Sequence, residues 1–178
     1  MDELKAVLER STASGRLRGV VALVADGKGI QFQHASGYAR DGVSMQPDTL
    51  FNIASMTKLV TTIGVLQLVE VEDLDPDVPV DRYLPELGSI KVLQGFARDG
   101  SPEFRPPLSI PTARELLTHT SGFVYEVWNA NAFEALQLGM MQSLFSGRPA
   151  LDAPLAFDPG ERWEYLSLIH IWTLPTKA

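Results

Sequence analysis

Cysteine is absent from this 178-residue chain, and with it go disulfides, thiolate metal sites and cysteine nucleophiles. That absence fits a reducing compartment. Histidine occurs three times, at positions 34, 119 and 170, and no H-E-x-x-H pair is present, so neither a metal nor another cofactor is expected. Positive charge is also short: 15 Lys and Arg face 22 Asp and Glu, a net charge of −7. With no basic face to offset phosphate repulsion, nucleic acid and anionic membranes are not expected partners. Long apolar runs are missing as well. The longest, Leu59 to Val71, is too short to span a bilayer and contains Thr, Gln and Glu. The N-terminus carries Asp2 and Glu3 and has no apolar h-region, so a secretory signal is not read there and a cytoplasmic location is expected.

What is present suits a globular protein: 45% hydrophobic and 21% charged residues, in a chain long enough to bury a core as one domain or part of a larger one. Leu4, Val7 and Leu8 recur at helical spacing and predict a helix over residues 2–14. "GVVALVAD" (Gly19 to Asp26) is β-branched and almost wholly apolar, which predicts a strand buried on both faces. "DGKG" then predicts a hairpin turn, with positive φ open to Gly27 and Gly29. "IQFQHASG" alternates as a second strand with one wetter face, and His34 reads as a packed or half-exposed strand residue. A helix leading into an antiparallel hairpin predicts an α+β layer.

Further along, a helix is expected from about Ser55 to Val71, and Val80, Tyr83 and Leu84 are expected to plug into a core. Ser89 to Phe96 reads as a strand and Ala97 to Pro107 as a loop. Thr112 with Glu115 three residues later forms a capping box for a short helix. Asn129 to Phe145 reads as another helix, with Met140 and Met141 in its core face, and "DPGERW" reads as a turn. No internal repeat or low-complexity segment interrupts this order.

The chemistry centres on "IASMTK". Ser55 and Lys58, three apart at a helix start, lie on one face. A serine hydroxyl is a weak nucleophile until a neighbouring base takes its proton. The positive end of a helix favours the developing alkoxide, and a desolvated lysine can serve as that base. S-x-x-K alone arises easily by chance, but no other serine here has Lys three residues on, and Phe51, Ile53 and Ala54 read as a buried approach. A Ser-His-Asp triad through His119 is not favoured. No G-x-S-x-G elbow occurs, and "THTSG" is a turn rich in local hydrogen-bonding groups, so His119 reads as structural.

"TLFNIASMTKLVTTIGVLQLVE", "RYLPEL", "LLTHTSGF" and "PGERWEY" occur in that order across residues 19–165. Together they resemble the serine β-lactamase-like superfamily, in particular the class C β-lactamase-related esterases (family VIII carboxylesterases). The resemblance implies an α+β fold of the β-lactamase/DD-peptidase kind, with an antiparallel sheet flanked by helices plus a helical region. It implies Ser55 as the acylated nucleophile, Lys58 as its activating partner, Tyr165 as the acid/base tyrosine and Tyr125 as an aromatic bordering the substrate pocket. A phenol titrating near 10 suits that role only if a cation such as Lys58 stabilises the phenolate. The implied substrate is a small-molecule carboxylic ester. A β-lactam or D-Ala-D-Ala peptide is the alternative, and a non-catalytic binding or scaffold role is a third; the oligomeric state is left open.

Two departures from the family pattern shape the expectation for the chain itself. Tyr165 is followed by Leu166-Ser167-Leu168 instead of a polar or glycine-containing segment, and no K-T-G, H-x-G or W-G-G box follows. That box's strand supplies the second oxyanion donor in relatives, and losing one such donor costs roughly 10²–10³ in rate. "LSLIHI" is also what the bases CTG TCT CTT ATA CAC ATC encode, which match the mosaic end of a sequencing adapter. Residues 1–165 are therefore expected to be the N-terminal portion of one catalytic domain lacking its C-terminal strands. Residues 166–178 are expected to be a non-native tail, and the chain as it stands is expected to be inactive.

Overall fold

The computed structural model describes residues 1–143 and 153–166. The backbone gathers into two compact units, Met1–Asn52 and Ile53–Ala178. Among the described residues no helix is long and apolar enough to cross a membrane.

In the first unit, α1 (Asp2–Ala13) has Asp2 and Glu3 in its first turn and Arg10 in its last, each complementing the helix dipole. β1 (Gly19–Asp26) and β2 (Gly29–Arg40) pair antiparallel from Gly19↔Gly37 to Asp26↔Gly29, with a bulge at Val24/Ala25. The Asp26 carboxylate accepts the Lys28 N–H at 2.8 Å and closes the turn. Gly29 uses its freedom, at φ 121°, whereas Gly27 does not take a positive φ. A two-residue strand not foreseen in the sequence, β3 (Val43–Ser44), extends the sheet in the order β1-β2-β3.

The expectation that β1 is buried on both faces is corrected here. Leu23 is 54% exposed and Val24 40%, and only Gly19 to Ala22 are half-buried. The reason is local: the unit's one helix meets the hairpin through Thr12, whose hydroxyl lies 2.7 Å from that of Ser36, and through Glu9, 3.4 Å from His34 Nε2. The turn end has no second layer within the unit. β2 shows the expected alternation in part, with Phe32 and His34 half-buried between exposed Gln31 and Gln33.

In the second unit, a 3₁₀ turn (Ala54–Met56) leads into α2 (Thr57–Glu70), so the expected helix begins as a tighter turn at Ser55. Val65 is α2's buried residue, while Leu59, Ile63 and Leu66 face outward. The approach formed by Phe51, Ile53 and Ala54 is exposed and not buried as the apolar sequence suggests. Val80 is buried, and Tyr83 and Leu84 pack against the core as expected. A 3₁₀ turn (Pro85–Ser89) takes the start of the expected strand, so β4 covers Val92–Phe96. The expected loop after it contains β5 (Pro102–Arg105), antiparallel to β4. The loop reading gave way because the Asp99-Gly100 turn folds the chain back: the Asp99 carboxylate accepts from the Ser101 backbone at 3.0 Å and hydroxyl at 2.6 Å.

α3 (Ala113–Leu117) carries the expected capping box in full. Thr112 Oγ1 accepts the Glu115 N–H at 3.2 Å, and Glu115 Oε2 accepts the Thr112 N–H at 2.8 Å. α4 (Ala130–Gln137), capped by Asn129, is shorter than expected because Gly139 turns the chain at φ 68°. Met140 and Met141 still pack into the core, beyond the helix end, while Phe145 lies outside the described residues. The core joins Leu87, Leu93, Leu116, Leu155 and Leu166, all within 1% of fully buried. Leu166 is the first residue of the expected tail, and the rest of that tail lies outside the described residues.

Candidate active site

The site is built from the 3₁₀ turn and first turn of α2 on one side and the segment around Tyr165 on the other. Ala54 enters the turn at φ 43°, a left-handed conformation uncommon for a residue with a side chain and typical of functional turns. It delivers Ser55 exposed at the turn and Lys58 one helical turn later. Tyr165, 110 residues away in sequence, donates its hydroxyl to Ser55 Oγ at 3.2 Å. Lys58 Nζ sits 4.6 Å from the centroid of the Tyr165 ring. Its nitrogen is buried, with no partner at hydrogen-bond geometry among the described residues. It acts on the tyrosine ring, and on His119, at a range where charge acts without an aligned bond.

That arrangement acidifies the phenol. Tyr165 is held below its ordinary value of 10.0, first by the attraction of Lys58 and then by the Ser55 hydroxyl, with burial opposing both. Tyr125 is buried, and its ring lies 6.0 Å from that of Tyr165 at 34°. The sequence-nominated residues Ser55, Lys58, Tyr165 and Tyr125 are thus brought together. Among the described residues no group of three His, Asp or Glu side chains is placed to hold a metal ion.

What holds Tyr165 is a ladder between two loops. The Ala156 N–H donates to Gly122 O at 2.8 Å, Gly160 N–H to Thr120 O at 2.8 Å, and Glu164 N–H to His119 O at 3.0 Å. At the end of the ladder the Leu166 N–H donates to His119 Nδ1 at 3.3 Å. Gly122 permits the approach, since at φ 90° a Cβ there would stand 2.3 Å from Phe157 O. His119 itself adopts φ 62° and sets its ring 5.0 Å from that of Tyr165, tilted by 44°, and edge-on to Trp163 at 6.0 Å. Burial first, and the Lys58 charge second, lower its pKa from the ordinary 6.5.

The base of the "DPGERW" turn is fixed by a pair the sequence did not reveal. Arg105 on β5 donates to both oxygens of Asp158, at 2.9 and 2.6 Å, and the Leu108 N–H adds a third bond at 2.8 Å. Arg105, then the Leu108 N–H, hold the Asp158 carboxyl below its ordinary range. No spacing in the sequence announces a partner 53 residues upstream; a strand reading of β5 would have been the one available signal.

Comparison with known proteins identifies the family and the fold. Residues 4–169 match the Beta-lactamase family. The chain is 35% identical over 173 residues to the acyltransferase mokF of Monascus pilosus, covering 92% of this chain and 42% of that protein. It is 34% identical over 177 residues to the esterase EstB of Burkholderia gladioli, covering 91% and 41%. The unliganded simvastatin synthase (LovD) of Aspergillus terreus superposes with a TM-score of 0.80 at 32% identity, over 93% of this chain and 44% of that one. The chain therefore spans about two fifths of the relatives it matches, and over that span it shares their β-lactamase-like fold. Since the matched stretch runs through both units and past Tyr165, the chain belongs to the beta-lactamase family.

Proposed function

We propose that Ser55 is the acylated nucleophile of a serine esterase, with Lys58 and Tyr165 moving its proton and a small-molecule carboxylic ester as substrate. The observation that carries this reading is the 3.2 Å bond between the Tyr165 hydroxyl and Ser55 Oγ, with buried Lys58 against the same ring. Lys58 favours the phenolate, and the phenolate oxygen accepts the Ser55 proton as Oγ attacks the ester carbonyl. Collapse of the tetrahedral adduct breaks the ester C–O bond, and the departing alkoxide takes the proton from Tyr165. Water then attacks the acyl-Ser55 carbonyl, gives its proton to Tyr165 and releases the carboxylic acid. The proton returns to Ser55 Oγ as its bond to the acyl carbon breaks. Tyr125, its ring 6.0 Å from that of Tyr165, is in this reading an aromatic bordering the bound ester.

A second acceptor is supported by the likeness to the acyltransferase mokF and to simvastatin synthase. In that reading an alcohol takes the place of water and the acyl group is transferred to it. Activity, substrate and acceptor of the whole protein are part of this proposal.

The test is covalent labelling of the 178-residue chain with p-nitrophenyl butyrate, read by intact mass and peptide mapping. A single butyryl group on Ser55, absent from Ser55→Ala, supports the reading. Labelling that persists in Ser55→Ala removes it. Nitrocefin in place of the ester separates β-lactam acylation from ester acylation.

A further inference from the structure

His119 holds the residue that holds the nucleophile. Its carbonyl oxygen accepts the Glu164 N–H and its Nδ1 accepts the Leu166 N–H, at 3.0 and 3.3 Å. These N–H groups belong to the residues on either side of Tyr165, so one residue holds both neighbours of the tyrosine. Its ring also lies 5.0 Å from that of Tyr165, tilted by 44°. His119 does this from φ 62°, a left-handed conformation that is uncommon for a residue with a side chain and persists where surroundings impose it.

We infer that His119 is a positioning residue for the reaction, acting as a neutral imidazole whose unprotonated Nδ1 anchors the Leu166 N–H and thereby sets Tyr165 against Ser55. The inference rests on the reading of Ser55 and Tyr165 as the acylation pair. The acceptor role requires the Nε2–H tautomer, because a proton on Nδ1 would face the Leu166 N–H donor to donor. The groups facing the imidazole favour neutrality: Lys58 from α2, and the rings of Tyr165 and Trp163 from the opposite segment. Glu164 is the carboxylate of that segment, and its backbone meets His119 while its side chain lies 3.9 Å from Arg162 Nε. The anchor is a backbone N–H, so it does not depend on which side chain stands at position 166.

Two measurements on the 178-residue chain test this. Long-range ¹⁵N–¹H correlation spectra at neutral pH, with the His119 signals assigned by their loss in His119→Asn, report the tautomer directly. Nε2–H with unprotonated Nδ1 is expected; Nδ1–H or imidazolium overturns the inference. The second measurement compares His119→Asn with His119→Leu. Asn tolerates positive φ and places an acceptor oxygen where Nδ1 stands, whereas Leu offers neither. The rate of Ser55 acylation by p-nitrophenyl butyrate is expected to fall on the order of 100-fold in His119→Leu, with the half-saturating ester concentration little changed, and to recover most of that loss in His119→Asn. Equal rates in folded samples of the two variants overturn the inference. Ser55→Ala is run beside them: acylation surviving there sinks the esterase reading. Its loss there, with a wild-type rate in folded His119→Leu, sinks the His119 inference alone.

Discussion

The first unit contains one buried apolar side chain, Met45, whereas every member of the main core lies in the second. The contrast is sharpest between two strands. β1, with five consecutive apolar residues from Val20 to Val24, leaves Leu23 and Val24 exposed. β4 has a weaker apolar pattern, yet its Val92 and Leu93 are 2% and 1% exposed. The difference is a second surface within the same unit. β4 receives Leu155 alongside, with Leu93 N–H donating to Leu155 O at 2.8 Å and Leu155 N–H to Lys91 O at 2.9 Å. An apolar run therefore specifies the element, while burial depends on chain that returns from far away in sequence.

The largest test of that contrast is a pair of truncations. Leu155→Ala empties a site of 0% exposure against β4 and is expected to cost about 2–5 kcal/mol in urea denaturation. Leu23→Ala, at 54% exposure, is expected to stay within about 0.5 kcal/mol. Trp128, Trp163 and Trp172 all follow residue 52, so tryptophan fluorescence tracks the second unit and far-ultraviolet circular dichroism tracks both. Comparable losses from the two truncations would break the comparison.

Glycines give the next largest difference. Gly122→Ala must push a Cβ away from Phe157 O at 2.3 Å while holding φ 90°, at a cost of about 2 kcal/mol or more. Because Gly122 anchors one rung of the ladder leading to Tyr165, Ser55 acylation should slow with it. Gly27→Ala meets nothing within 4 Å and is expected to be near neutral. A Gly122→Ala protein as stable and as fast as the parent would show that the ladder does not govern the site.

The same distinction explains what the sequence made legible. Ser55, Lys58 and Tyr165, which the fold brings together, could be nominated because each sits in a local motif, and the Thr112–Glu115 box was legible because its spacing is its geometry. β5 and the Arg105–Asp158 pair escaped because their meaning depends on strand pairing and on partners 53 residues apart. The exposed approach to Ser55 was misread for the reason β1 was: hydropathy was taken for burial. The histidine turn was read as structural, but not that its Nδ1 and carbonyl oxygen bracket Tyr165, which only the folded ladder shows.

Electrostatics offers a test within the second unit. The lowered phenol of Tyr165 means that phenolate forms at a pH where a free tyrosine is still protonated. Acylation should then rise as pH increases through that lowered value. Lys58→Met removes the largest cause and should move the Tyr165 titration up toward 10.0; Ser55→Ala removes a smaller one and should move it less. Ultraviolet difference titration against Tyr165→Phe reads both. Lys5→Met, a lysine of the first unit, serves as the control and should leave the curve in place. An unmoved curve in Lys58→Met would separate the lysine from the phenol.

The smallest effects compare how each unit ends its helices. α3 begins with reciprocal bonds between Thr112 and Glu115, so Thr112→Ala leaves the Glu115 N–H without its acceptor and should cost about 1 kcal/mol. α1 has no side-chain cap, and its exposed Lys5–Glu9 pair spans 3.9 Å. Glu9→Gln preserves shape while removing the charge that faces both Lys5 and His34, and is expected to cost a few tenths of a kcal/mol, less at high salt. If Glu9→Gln instead matched Thr112→Ala, the Glu9 side chain would be organising α1 against β2 more firmly than its exposure implies. The first unit would then owe its order to polar contacts across the helix–sheet seam, in place of the apolar burial that orders the second.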